Sequence, residues 1–129
     1  MVDAKDPPLL EIDGLSLTYV TRAGENPAVR GVSLTVRAGE AVGLAGESGC
    51  GKTTLALGVM GYLGRDCRRT GGAVRFQGRD MGALGAEELR RIRGSEIAMV
   101  HQEPSSALNP SLSVGAQLME VPMIHGRVT

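Results

Sequence analysis

Aromatic residues are nearly missing from this 129-residue chain: Tyr19, Tyr62 and Phe76 are all there are, and tryptophan is absent. That excludes a base-stacking platform of the single-strand-binding kind, which needs a row of aromatic faces. An excess of charge of one sign is missing too. Fourteen Lys and Arg residues balance fourteen Asp and Glu, so nothing marks general nucleic-acid binding. Cysteine occurs only at Cys50 and Cys67, with no regular framework around them. A reduced, cytosolic protein fits better than a disulfide-stapled secreted one. No apolar run approaches the roughly 20 residues of a membrane span. The first eight residues carry charges with no apolar stretch behind them, unlike a signal peptide. Membrane association is therefore expected to come through a partner, not by direct insertion.

What the chain has is glycine, 19 in all, within a globular balance of 42% hydrophobic and 22% charged residues, enough for one domain. Residues 1–9 read as a flexible leader. Residues 11–20 and 29–37 are β-prone and are separated by Gly24, Asn26 and Pro27, which predicts an antiparallel pair. Residues 40–45 (EAVGLA) form a short apolar run and predict a buried strand. Leu55, Val59 and Leu63 follow at i, i+4, i+8, and Ala56, Leu57 and Met60 add a second stripe. A helix apolar on most sides is a buried one, with Gly64 as its terminator. Residues 73–77 predict a strand. Residues 86–93 predict a short helix whose acids precede its bases, in keeping with the helix dipole. Residues 96–101 predict a strand, and residues 113–121 a helix that Pro122 breaks or kinks.

One stretch carries specific chemistry. Residues 46–53, Gly-Glu-Ser-Gly-Cys-Gly-Lys-Thr, match G-x-x-x-x-G-K-[ST], the Walker A phosphate loop. Glycines let the backbone curl so that successive N–H groups face phosphate oxygens. The helix that follows presents its positive end to the same anion. Lys52 would reach the β- and γ-phosphates, and the Thr53 hydroxyl would ligate magnesium. A glycine-rich turn matching by accident is the alternative; the apolar run before the motif and the helix pattern after it favour phosphate binding.

Four stretches resemble the ATP-binding domains of ABC transporters: LSLTYV (15–20), VSLTVRAGEAVGLAGESGCGKTTL (32–55), MVHQEP (99–104) and SSALNPSLSVGAQLMEV (105–121). The last, with Leu-Asn-Pro followed by Val-Gly-x-Gln-Leu, is similar to the oligopeptide and dipeptide importer branch. The likeness runs from about residue 10 to the end. It implies an α/β fold, a P-loop core with an antiparallel β subdomain, with a helical subdomain beginning near residue 110. It also implies that Tyr19 stacks on adenine, that Gly46, Glu47, Ser48, Gly49, Cys50, Gly51, Lys52, Thr53 and Thr54 cradle the phosphates of ATP, and that Lys52 and Gln102 serve catalysis. Gln102 and Thr53 would meet Mg2+. The implied partners are membrane-spanning permease subunits and a second ATP-binding subunit, at the cytoplasmic face of the inner membrane.

Each assignment has a plainer alternative. Tyr19 reads equally as a strand aromatic, and Gln102 as a polar residue at a strand end. His101 departs from the family pattern and reads as a packing residue. Cys50 lies in the phosphate loop, so thiol reagents are expected to block nucleotide binding; a small residue tolerated in a tight turn is the other reading. Met119 and Met123 read as packing residues, although the family turns this region toward membrane subunits. Arg65, Arg68 and Arg69 read as solvated surface. The 129 residues contain no LSGGQ-type signature, no apolar run ending in Asp-Glu and no switch histidine. Phosphoryl transfer depends on positioning and charge stabilisation, so this chain is expected to hydrolyse ATP slowly or not at all, as part of a longer protein. Another P-loop enzyme, or a nucleotide-binding module without turnover, is the rival reading.

Overall fold

Alternation of buried and open positions builds the first half of the chain. The computed structural model describes residues 6–127, which divide into one unit up to Leu84 and a second from Gly85. Strand β1 (Leu10–Thr21) turns at Arg22 and Ala23 into β2 (Gly24–Val36). Strand β3 (Cys67–Phe76) lies on the other side of β1, and the short β4 (Arg79–Asp80) completes an antiparallel sheet of order β2-β1-β3-β4. Helix α1 (Lys52–Val59) packs on β1. Ile12, Leu15, Leu17, Val29, Leu55, Val74, Phe76 and Met81 are buried and form the apolar centre of this unit.

The predicted antiparallel pair is formed, with a tighter turn than the sequence implied. Asn26 and Pro27 lie inside β2, paired with Tyr19 and Thr18. An edge strand tolerates the missing proline N–H. Strand β3 begins six residues before the predicted 73–77 segment. Arg68–Gly72 has poor strand composition, yet its ladder to β1 carries it. That ladder slips between Asp13 and Ser16. There Gly14 (φ +56°) and Gly72 (φ +75°) cross so closely that a Cβ on Gly72 would overlap the Gly14 backbone. Bulged strands use glycine for such approaches.

Two predicted strands are not formed. Residues 40–45 carry no ladder, and Val42 and Leu44 are exposed. Residues 96–101 contribute only one isolated bridge, Arg93 to Ile97, and Val100 is 94% exposed. Parallel strands are stable when paired and covered on both faces. Apolar composition marks such a strand but cannot supply its neighbour, so no parallel core is paired among the described residues. Helix α1 is likewise shorter and less buried than predicted. Leu55 alone in this helix is buried. Gly61 (φ +64°), not Gly64, ends the helix: the Tyr62 N–H donates to the Leu57 carbonyl at 2.9 Å and the Gly61 N–H to Gly58 at 3.1 Å, the paired bonds of a Schellman motif.

In the second unit, α2 (Ala86–Ile92) matches the predicted short helix. Glu88 accepts from the Gly85 N–H at 3.0 Å, and Glu87 pairs with Arg90 and Arg91. A one-turn helix, α3 (Pro104–Ala107), starts on proline, the first-turn position where a missing N–H is harmless. Helix α4 (Val114–Ile124) is capped by Ser113, which accepts from the Ala116 N–H at 3.2 Å. Gln117 secures the turn before it, accepting from the Asn109 N–H and donating to the Asn109 and Leu112 carbonyls. Pro122 does not break α4. The helix continues through it to Ile124 and closes at Gly126, with the Arg127 N–H donating to the Pro122 carbonyl at 2.9 Å. No residue of α4 is buried, and Met119 and Met123 are 40% and 62% exposed, so the packing role read for these methionines is not what this unit shows. Most of the leader, residues 1–5, lies outside the described residues.

Candidate functional site

Gly46 to Gly51 form an exposed loop that delivers the chain into α1. Gly49 and Gly51 take left-handed backbone angles, φ +81° and +96°, which cost a side-chain-bearing residue about 1–3 kcal/mol. Gly51 is constrained twice over, because a Cβ there would overlap the Ala28 carbonyl oxygen of β2. Gly46 is also crowded: a Cβ there would sit 2.5 Å from Cys50 Sγ. The loop is thus pinned to the sheet at one end and folded tightly on itself at the other.

Lys52 closes this loop. Its Nζ donates to the Gly46 carbonyl at 2.6 Å and the Glu47 carbonyl at 2.8 Å, and lies 3.4 Å from Cys50 Sγ. Those partners are neutral, and no ion pair joins Lys52 to a carboxylate among the described residues. No side chain caps the N-terminus of α1, where Gly51 stands at the N-cap. The first N–H groups of a helix have no partner within it. An uncompensated ammonium beside uncapped amides is a donor set that fits a polyanion such as a nucleoside triphosphate. Thr53 is exposed in the first turn. Its hydroxyl fits one position of a magnesium ion that takes its other ligands from phosphate and water. No group of three or more His, Cys, Asp or Glu among the described residues offers a metal site built from protein alone.

Tyr19 reaches the same helix. Its hydroxyl lies 3.2 Å from the Thr54 hydroxyl, so the structure brings Tyr19 together with the residue that follows Thr53. The packing beneath explains why. A Cβ on Gly58 would stand 2.6 Å from Leu17 and 3.5 Å from Leu15, so α1 lies close against β1 only because Gly58 has no side chain. Beside the loop is a cleft of about 430 Å³, walled by Ala28, Val29, Arg30, Leu44, Cys50 and Lys52 among others. Ala28 and Arg30 carry no motif, and sequence reading passes over them. Their only signal is membership of the strand that pairs with β1.

Gln102 belongs to the second unit and is exposed, as is His101; the packing reading of His101 is therefore corrected. The segment that would have seated it between neighbours forms one isolated bridge and no strand. Arg65, Arg68 and Arg69 are exposed as expected. Arg68 bonds Glu25 and Arg69 faces Asp80, exposed pairs worth about 0–1 kcal/mol. Among the described residues no helix is long and apolar enough to cross a membrane.

The two cysteines differ sharply. Cys50 is exposed in the loop, whereas Cys67 is buried in β3 and burial pushes its thiol pKa up. Because the thiolate is the reactive form, a maleimide at neutral pH is expected to label Cys50 well ahead of Cys67. Label on Cys50 would crowd Gly46 and Lys52. Prior Mg·ATP is therefore expected to slow labelling, read by mass spectrometry of the peptide containing Cys50. An unchanged labelling rate would separate Cys50 from any nucleotide site.

The glycine loop, its lysine and the helix behind it define a P-loop type of arrangement on an antiparallel sheet. The ABC transporter family profile matches residues 29–126, and the chain belongs to that family. It is 44% identical to the oligopeptide transport ATP-binding protein OppD of Salmonella typhimurium over 117 residues, 91% of this chain and 35% of that protein. It is 42% identical to OppD of Escherichia coli, over 91% of this chain and 34% of that protein. It is also 38% identical to the dipeptide transport ATP-binding protein DppD of Bacillus subtilis, over 94% and 36%. The chain spans about a third of the length of these relatives.

Proposed function

We propose that this chain binds Mg·ATP through residues 46–54 and Tyr19, and that in the whole protein ATP hydrolysis drives oligopeptide or dipeptide import. The observation that carries the reading is Lys52, an ammonium held by two backbone carbonyls with no carboxylate partner among the described residues, in a glycine loop at an uncapped helix start. The peptide class comes from the names of the relatives, which are peptide transport ATP-binding proteins. In this reading Lys52 would neutralise phosphate charge, Thr53 would ligate magnesium, and Gln102 would serve the metal and the attacking water. Mg2+, when bound, would supply neutralisation of the phosphate charge. The partners are membrane-spanning permease subunits and a second ATP-binding subunit, at the cytoplasmic face of the membrane. The chain by itself binds without appreciable turnover.

Tyr19 distinguishes ATP from a bare phosphate ligand. Replacing it with alanine removes the stacking face and is expected to weaken ATP binding by about 1–3 kcal/mol, the range for base–aromatic stacking. Titration with a fluorescent ATP analogue measures this. Equal affinity in the alanine variant would remove the adenine role from Tyr19 while leaving the phosphate loop standing.

A further inference from the structure

We infer that the Tyr19 hydroxyl is a positioning group for the phosphate loop, acting through Thr54, in addition to any stacking by its ring. The inference rests on the phosphate-loop reading above. Tyr19 sits on an inner strand, paired with Asn26 of β2 on one side and Cys67 of β3 on the other. The Val20 N–H beside it donates to the Asp66 carbonyl at 2.7 Å. A residue tied on both sides is a fixed post. Its hydroxyl, 3.2 Å from Thr54 Oγ1 in a partly buried setting, ties that post to the third residue of α1.

The contact lies where the loop needs support. Thr54 and Gly58 are one turn apart and share a face of α1. Gly58 is the point at which the helix rests on Leu17, and Leu17 and Tyr19, two residues apart on β1, both reach α1. The helix therefore touches the sheet at two levels: an apolar one at Gly58, and a polar one at Thr54 directly beside Lys52 and Thr53. Apolar contact fixes distance but lets a helix slide or turn, whereas a hydrogen bond fixes one rotation. The Tyr19–Thr54 bond sets the rotation of the first turn of α1, and hence where the Lys52 and Thr53 side chains and their N–H groups face. One side chain thereby links the base end of the site to its phosphate end.

The probe that isolates this role is magnesium tripolyphosphate, which has the phosphates and no base to stack. Its affinity for the full chain is measured by calorimetry for the wild type, Tyr19→Phe, Thr54→Ser, Thr54→Val and the Tyr19→Phe/Thr54→Val double variant. Losing one neutral hydrogen bond corresponds to about a 3- to 10-fold change, so Tyr19→Phe is expected to bind tripolyphosphate that much more weakly. The ratio of ATP to tripolyphosphate affinity stays constant, because the ring remains. Thr54→Ser keeps a hydroxyl and is expected to bind more tightly than Thr54→Val by about the same 3- to 10-fold. In a Thr54→Val background, adding Tyr19→Phe costs nothing more. Equal tripolyphosphate affinity in Tyr19→Phe and wild type overturns the proposal alone. So does a Tyr19→Phe effect that survives undiminished beside Thr54→Val. A wild-type chain with no magnesium-dependent tripolyphosphate affinity overturns the phosphate-loop reading itself, and this proposal with it.

Discussion

Replacing Lys52 with alanine is expected to weaken Mg·ATP binding by about 2–5 kcal/mol, roughly 30- to 5,000-fold, the range for truncating one partner of a close charge pair. The structure explains why so much would be lost and why so little else would change. In the loop the ammonium donates to the Gly46 and Glu47 carbonyls and touches Cys50 Sγ. All three residues are exposed, so water replaces the lysine on those acceptors when it is removed. Surface changes of this kind shift stability by no more than about 0.5 kcal/mol. A polyphosphate offers the same ammonium a far stronger partner than two carbonyls. The expected signature is a large loss of affinity in an equilibrium titration with an unchanged thermal midpoint. A parallel fall in both would mean that Lys52 holds the loop together and that its charge is incidental.

Gly51→Ala is expected to show the opposite pattern, damaging fold and site together. Two costs fall on the same atom. The left-handed angle at Gly51 costs about 1–3 kcal/mol for alanine. The new Cβ also overlaps the Ala28 carbonyl, which belongs to the backbone of a paired strand and cannot rotate away. Overpacking of that sort costs about 1–3 kcal/mol more. Relief requires the loop to lift off β2, carrying Lys52 and the start of α1 with it. Gly49→Ala is the natural control, since Gly49 shares the positive φ (+81°) but has open space around it; it should show the angular cost alone. Urea unfolding midpoints and ATP titrations of the two variants separate the contributions. Equal behaviour would show that the approach of loop to strand yields easily.

These contrasts mark what was legible in the sequence. The phosphate loop was, because its spacing states a chemistry: glycines to curl, a lysine to neutralise, a threonine to ligate. β1 and β2 were, because alternation and a turn signal are local. The Arg68–Gly72 half of β3 was not. Its glycines look like punctuation until Gly72 is seen crossing Gly14. Residues 40–45 and 96–101 read as strands on composition, and composition says nothing about whether a neighbour lies within hydrogen-bonding reach. Proline predicts a break or a kink at Pro122; the helix is not broken there, and α4 runs on to be closed by Gly126 and Arg127. Within the site, what spacing does not show is which residues meet over long separations. Ala28 against Gly51 and Tyr19 against Thr54 are facts of packing between a helix and a sheet, and no spacing rule encodes them. Gln102 is legible only from its neighbours in sequence, and its setting in the second unit adds exposure.

The central claim is that the loop from Gly46 to Thr54, with Lys52, takes a nucleoside triphosphate. The measurement that tests it most directly is an equilibrium titration of the folded chain with ATP, with and without magnesium. The expected result is saturable one-to-one binding that strengthens with magnesium and weakens by about 30- to 5,000-fold in the Lys52→Ala variant. Binding that is absent from a chain shown to be folded, or that is the same with and without Lys52, would contradict it.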